Sequence, residues 1–240
     1  MASILSRFPA LLRKISLAEK SALIALACVA TAFVAFGNLA AQMMEGETVS
    51  FDRSILLAFR NPVDLSDPLG PRWVEEMMRD FTALGSMAVL FTLTLVVIGF
   101  LLLTKKRRSA MVVLLSIASG TLVSILLKLV FDRPRPDLVA HGTTVYTQSF
   151  PSGHAMLSAI VFLTLGVLLA RTEANVKVKV YLLAVASLLT VIVGISRVYL
   201  GVHWPTDVMA GWSVGSAWAL MCWLMMIWLQ SRGEVEQETN

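Results

Sequence analysis

Six apolar stretches, at about 21–43, 82–104, 110–131, 154–170, 180–200 and 207–229, each approach the roughly 20 residues that a helix needs to cross the hydrocarbon of a bilayer. In lipid every backbone polar group must be satisfied within the span, which confines a chain of this kind to a helical bundle. Composition agrees: 57% of the 240 residues are hydrophobic and 15% charged, against about 45–50% and about 25% in soluble domains. With a mean hydropathy of +0.75, too little polar surface remains to cover a soluble globule. The expected fold is all-α, a polytopic membrane helical bundle of six transmembrane helices forming a single membrane domain over 1–240. The first stretch also invites reading as a signal peptide, since basic residues precede it and Leu39-Ala40-Ala41 resembles a cleavage site. Its apolar core is too long for that reading. Cys28 and Cys222 both sit inside apolar runs, where a thiol behaves as a small hydrophobe, and no disulfide is assigned.

The net charge of +4 would raise the question of nucleic acid in a soluble domain, but here the placement of the basic residues matters more than their sum, and no nucleic-acid partner is expected. Arg7, Arg13, Lys14 and Lys20 precede the first stretch, Lys105-Lys106-Arg107-Arg108 joins the second to the third, and Arg171, Lys177 and Lys179 join the fourth to the fifth. These alternate segments share one side, and their excess of Lys and Arg predicts that side to be cytoplasmic, with both termini inside. The opposite side receives 44–81, 132–153 and the turn around 196–206. Segment 44–81 is expected to be an extracytoplasmic loop, because Arg53, Arg60, Arg72 and Arg79 are outnumbered there by Glu45, Glu47, Asp52, Asp64, Asp67, Glu75, Glu76 and Asp80. Within it Trp73, Val74, Met77, Met78 and Phe81 recur at helical spacing, while Glu75, Glu76, Arg79 and Asp80 fall elsewhere on the wheel. That pattern suits a helix lying in the interface, and equally a loop helix packed on the bundle.

Three clusters of ionisable residues lie at the ends of spans, all on the outer side. Lys128 to Arg133-Pro134-Arg135-Pro136 ends the third span, Phe150-Pro151-Ser152-Gly153-His154 opens the fourth, and Ser196-Arg197 through His203 to Asp207 links the fifth to the sixth. Taken singly, each has a plain alternative: Lys128 and Arg197 as snorkelling side chains, the histidines as interfacial polar residues, and Arg133 to Pro136 as a basic turn that stops a helix. Convergence on one side weakens those alternatives, because ionisable groups near membrane depth are functional suspects. Three cations, two histidines and a carboxylate suit an anion on which chemistry is done.

Phosphoryl transfer needs positioned donors for the equatorial oxygens, a nucleophile in line and an acid for the leaving oxygen. Lys128, Arg135 and Arg197 supply donors, while Ser152 can cap the fourth span and leave the Gly153 amide and the positive helix end facing the same anion. His203 precedes Asp207 by four residues, with Pro205 placed for the first turn of the sixth helix, so the carboxylate can fix the imidazole tautomer. His203 then reads as nucleophile and His154 as acid. A metal is not expected, since three cations would repel it. No Gly-x-Ser-x-Gly or Walker-type loop is present, which removes the usual signals for a serine hydrolase or a P-loop nucleotidase.

These segments resemble the signature of the type 2 phosphatidic acid phosphatase superfamily, in its integral membrane lipid phosphatase branch. The pattern Lys-x6-Arg-Pro, Pro-Ser-Gly-His, Ser-Arg-x5-His-x3-Asp is met by Lys128 to Arg135-Pro136, by Pro151-Ser152-Gly153-His154, and by Ser196-Arg197, His203 and Asp207. The catalytic motif region is thus 128–207. The resemblance implies hydrolysis without metal or other cofactor through a phosphohistidine on His203, protonation of the leaving group by His154, and phosphate binding by Lys128, Arg135, Ser152, Gly153, His154 and Arg197. It also implies a bacterial inner-membrane enzyme acting on the periplasmic face, with a phospholipid or polyprenyl phosphate substrate such as undecaprenyl diphosphate, phosphatidylglycerophosphate, phosphatidate or a lipid A phosphate. Headgroup selectivity is expected from 44–81. A lipid phosphotransferase using the same phosphohistidine and a non-enzymatic lipid or anion transporter remain as alternatives.

Overall fold

The computed structural model describes residues 17–137 and 148–232, and the basic residues Arg7, Arg13 and Lys14 and the acidic C-terminal end lie outside them. Eight helices form among the described residues: α1 (Leu17–Met44), α2 (Val49–Leu57), α3 (Arg72–Leu84), α4 (Met87–Leu103), α5 (Arg107–Val130), α6 (Gly153–Arg171), α7 (Val176–Tyr199) and α8 (Pro205–Ser231). Five of them, α1 and α5 to α8, are long and apolar enough to cross a membrane. They match five of the six apolar stretches to within a few residues.

The second stretch, expected as one span over 82–104, is broken. Helix α3 runs into the stretch and meets α4 at an angle of 48°. The break falls at Ser86, whose backbone is extended and whose hydroxyl accepts the Val89 N–H at 3.3 Å. A side-chain acceptor at that position starts a new helix and removes any reason for the old one to continue. The pair counts as a sixth candidate span when taken together. The residues Thr82 to Leu84 therefore belong to the amphipathic helix anticipated around Trp73 to Phe81, which has no buried residue and carries an Arg79–Glu75 pair at 2.6 Å.

Helix α6 is the axis of the bundle: 67% of its apolar window is buried, against 11–28% for the other four long helices. Its neighbours shield it from lipid, so their outward faces present residues such as Phe91, Val96, Phe100 and Leu129 to the hydrocarbon, where an apolar surface has no cost. Helix α8 lies directly on the α6 backbone. A Cβ at Gly211 would stand 2.8 Å from the Ser152 carbonyl oxygen, and one at Gly215 would stand 2.6 Å from that of Met156. The Gly211-x-x-x-Gly215 spacing is therefore used inside the bundle, as small residues allow helix backbones to approach. Substituting Gly215 by valine should force α8 off α6 and lower the thermal midpoint in detergent, an overpacking cost of about 1–3 kcal/mol. An unchanged midpoint would show that the contact is slack.

The bundle has two chemically distinct ends. Lys106 before α5, Thr172 after α6 and Gln230 in α8 line one cavity of about 680 Å3 whose walls are otherwise mostly apolar, and Arg171 donates to the Gln230 side chain. The opposite end gathers the last turn of α5, the first of α6, the last of α7 and the first of α8. Segment 45–71 is tied to that second end. Arg60 donates to the carbonyl of Tyr199, and the Tyr199 hydroxyl donates to the carbonyl of Leu69 at 2.8 Å.

Candidate active site

Two helix starts set the site. Ser152, fully buried, takes the N-cap position of α6, and its hydroxyl accepts the Ala155 N–H at 3.5 Å. Its own N–H donates to the Asp207 carbonyl at 2.9 Å, which couples the start of α6 to the first turn of α8. That second helix begins at Pro205, whose missing N–H costs nothing there, and Asp207 Oδ2 accepts the Trp204 N–H at 3.0 Å. The carboxylate thus closes the helix start and stands beside the preceding turn, where His203 is buried at 1% exposure.

Both ring nitrogens of His203 have partners. Nδ1 lies 3.3 Å from Asp207 Oδ2 and Nε2 lies 3.1 Å from Arg135 Nη1. A guanidinium only donates, so Nε2 carries the lone pair and Nδ1 carries the proton that faces the carboxylate. Arg135 is held in place by a second bond, Nη1 to the Val202 carbonyl at 2.9 Å. Burial, and then the charges of Arg197, Arg135 and Lys128, hold the His203 imidazole well below its ordinary pKa, because each disfavours the imidazolium. A lowered pKa keeps the ring neutral as pH falls through the usual histidine range. Histidine-selective 15N NMR of the solubilised chain at pH 6 should show His203 as a neutral Nδ1–H tautomer; an imidazolium signal at that pH would contradict the geometry.

The other cations converge from different helices. Lys128 Nζ donates to the Gln148 carbonyl at 2.9 Å and passes over Gly153, where a Cβ would meet Lys128 Cε at 3.3 Å. Glycine here lets the lysine side chain lie close over the helix start. Arg197 Nη1 donates to Thr82 Oγ1 of α3 at 2.9 Å, while its Nε is buried with no hydrogen-bond partner among the described residues. A buried unpaired donor of this kind costs about 1–3 kcal/mol, and an anion oxygen would satisfy it. His154, half-buried in the first turn of α6, has its Cδ2 3.4 Å from where a Gly85 Cβ would stand, so the α3–α4 corner backs the ring. All eight residues singled out from the motifs, Lys128, Arg135, Ser152, Gly153, His154, Arg197, His203 and Asp207, therefore lie at one end of the bundle. His203 touches Asp207 through one ring nitrogen and Arg135 through the other.

The structure adds residues that the motifs did not single out. Arg133, read from sequence as part of a basic turn, is 8% exposed and bridges two carboxylates with none. Its Nη1 donates to Asp207 Oδ1 at 2.6 Å and to Thr206 Oγ1 at 2.8 Å, and its Nη2 donates to Asp52 Oδ2 at 2.5 Å and to Thr48 Oγ1 at 3.2 Å. Asp52, on α2, also accepts the Thr206 N–H at 2.9 Å and the Thr206 hydroxyl at 2.7 Å. Ser149 donates its hydroxyl to Asp207 Oδ2. The alternation Arg133-Pro134-Arg135 held a signal: proline keeps the preceding residue extended, and residues two apart on an extended chain share a face. Both arginines accordingly serve the His203–Asp207 pair, one at each end.

The sequence profile of the PAP2 superfamily matches residues 109–231. The chain is 34% identical over 146 residues to the protein named phosphatidylglycerophosphatase B of Bacillus subtilis, which covers 60% of this chain and 70% of that one. It is 29% identical over 190 residues to the protein named lipid A 1-phosphatase of Rhizobium etli, covering 69% and 76% respectively. Among solved structures, that of the transmembrane PAP2 type phosphatidylglycerolphosphate phosphatase from Bacillus subtilis superposes with a TM-score of 0.72 at 30% identity, over 84% of this chain and 96% of that one. The structural likeness thus extends beyond the stretch that the profile matches.

Proposed function

The chain belongs to the PAP2 superfamily of membrane phosphatases, and from that premise we propose that it hydrolyses the phosphomonoester or diphosphate headgroup of a membrane lipid through a phosphohistidine on His203, without a metal. The observation that carries the reading is the pairing of an Asp207-oriented His203, held below its ordinary pKa, with cations from two segments, Lys128 and Arg135 from one and Arg197 from the other. In the first step Nε2 attacks phosphorus, the N–P bond forms, the P–O bond to the lipid breaks, and His154 protonates the departing oxygen. Water then attacks the phosphohistidine, giving its proton to His154 and releasing inorganic phosphate. Lys128, Arg135 and Arg197, with the Ser152 hydroxyl and the Gly153 amide at the start of α6, hold the equatorial oxygens through both steps. Arg135 turns its donor from Nε2 to a phosphate oxygen as substrate arrives, which frees the lone pair.

The bound lipid keeps its chains in the hydrocarbon and offers its headgroup to the end of the bundle where the site lies. Lys105 to Arg108 and Arg171, Lys177 and Lys179 cluster at the other end, which by the positive-inside rule is cytoplasmic. The reading therefore has both termini cytoplasmic, and the active site facing the periplasm from a bacterial inner membrane. The names of the relatives span a glycerophospholipid and a lipid A phosphate, so the substrate is sought in that class, together with phosphatidate and undecaprenyl diphosphate.

The test is phosphate release from this panel by the detergent-solubilised chain in excess chelator, followed by a short reaction with substrate labelled in its phosphate and quenching in alkali. Undiminished turnover with an acid-labile, alkali-stable label on the protein is expected. A requirement for added metal, or turnover with no covalent label under single-turnover conditions, would sink the mechanism.

A further inference from the structure

We propose that Asp52 of α2 is a positioning residue for the nucleophile, acting through Arg133 and Asp207 on His203, so that segment 44–81 takes part in catalysis and does more than select headgroups. The inference rests on His203 being the nucleophile. Asp52 is fully buried, lies outside the residues that the family profile matches, and divides its carboxylate oxygens between Thr206 and Arg133. One oxygen accepts the Thr206 N–H, in the manner of a helix cap supplied from another helix, and the other accepts from the Thr206 hydroxyl and from Arg133 Nη2. The first turn of α8, which carries Asp207, is thereby fixed from outside the helix.

The charges give this arrangement a purpose. Arg133 lies 2.6 Å from Asp207 Oδ1, and alone it would neutralise the carboxylate on which His203 depends. Asp52 engages the other arm of the same guanidinium at 2.5 Å. Two carboxylates on one guanidinium leave one negative charge uncompensated beneath the imidazole. Positive charge develops on that ring when Nε2 bonds to phosphorus, with Nδ1–H still directed at Asp207 Oδ2, and a prearranged negative charge lowers the energy of that step. Holding Asp207 also fixes the ring, and a misplacement of about 1 Å at a reacting group costs about 100-fold in rate.

The experiment compares the full chain with Asp52→Asn and Arg133→Lys in detergent, measuring kcat, KM, thermal midpoint and the histidine 15N spectrum; the chain has 3 histidines, so the signals are few. Asparagine keeps the shape but not the charge, and lysine keeps the charge but not the fork that spans two carboxylates. Both are expected to lower kcat by about 10–100-fold with KM within about threefold, and to mix the His203 tautomers. A structural role alone would lower the midpoint and leave kcat of the folded fraction and the tautomer unchanged. Should Asp52→Asn not fold, Thr206→Val removes the hydroxyl that joins Asp52 Oδ2 to Arg133 Nη1, leaves both charges and the Thr206 N–H bond in place, and is expected to lower kcat by about 3–10-fold. Wild-type kcat and a wild-type tautomer in these variants would overturn the proposal, provided His203→Ala is inactive. Activity surviving His203→Ala would instead overturn the phosphohistidine reading, while the tautomer still reports whether Asp52 orients the ring.

Discussion

His203→Ala is expected to reduce phosphate release by on the order of 10^4-fold or more, with the folded state retained. The reason is positional. Among the described residues, Nε2 of His203 is the lone pair that lies against the guanidinium of Arg135 while its opposite nitrogen is held by a carboxylate. Among the described residues His154 has no such carboxylate and lies instead against the α3–α4 corner. Removing the ring also leaves Asp207 tied to Arg133, Ser149 and the Trp204 N–H, so the helix start is preserved and the loss is chemical. Lys128→Ala provides the contrast: its ammonium binds charge without bonding to His203, so a rise in KM should accompany a smaller fall in kcat. Initial rates across substrate concentration separate the two, and residual turnover above about one per cent in His203→Ala would remove it from the nucleophile's role.

Most of the bundle was legible because a span is a crude signal: apolar composition over about 20 residues suffices, and five helices start and end within a few residues of the stretches read from sequence. The second span was misjudged in form because hydropathy does not register a cap. Ser86 is one hydroxyl in an apolar run, yet its acceptance of the Val89 N–H turns the helix by 48°. The motif residues stood out because their types and order fit phosphate chemistry, and the fold gathers them at one end of the bundle. Arg133 did not stand out, since arginine beside proline reads equally well as a helix stop, and only the fold shows its fork closing on Asp52 and Asp207. Asp52 was one of eight acidic residues in 44–81, all of them explained by topology, and nothing in its neighbours marks it as the buried one. Long-range pairing across 154 positions leaves no periodic trace in a single sequence.

Arg133→Met should be the most destabilising single change at this end of the bundle. It removes the guanidinium that contacts two carboxylates of 0% exposure and leaves both buried without their cation, a loss of about 3–5 kcal/mol in comparable buried pairs. The same reasoning predicts its own relief. If the cost comes from uncompensated charge, Asp52→Asn added to Arg133→Met should recover about 1–3 kcal/mol, even though each substitution alone is destabilising. Thermal or denaturant unfolding of the four chains in one detergent supplies the comparison. Additive losses with no recovery would mean that Arg133 stabilises by packing against Trp204, whose ring centroid lies 5.6 Å from its guanidinium carbon. Recovery would mean that electrostatics ties α2 to α8, with the charge that neutralises Asp52 also governing the carboxylate behind His203.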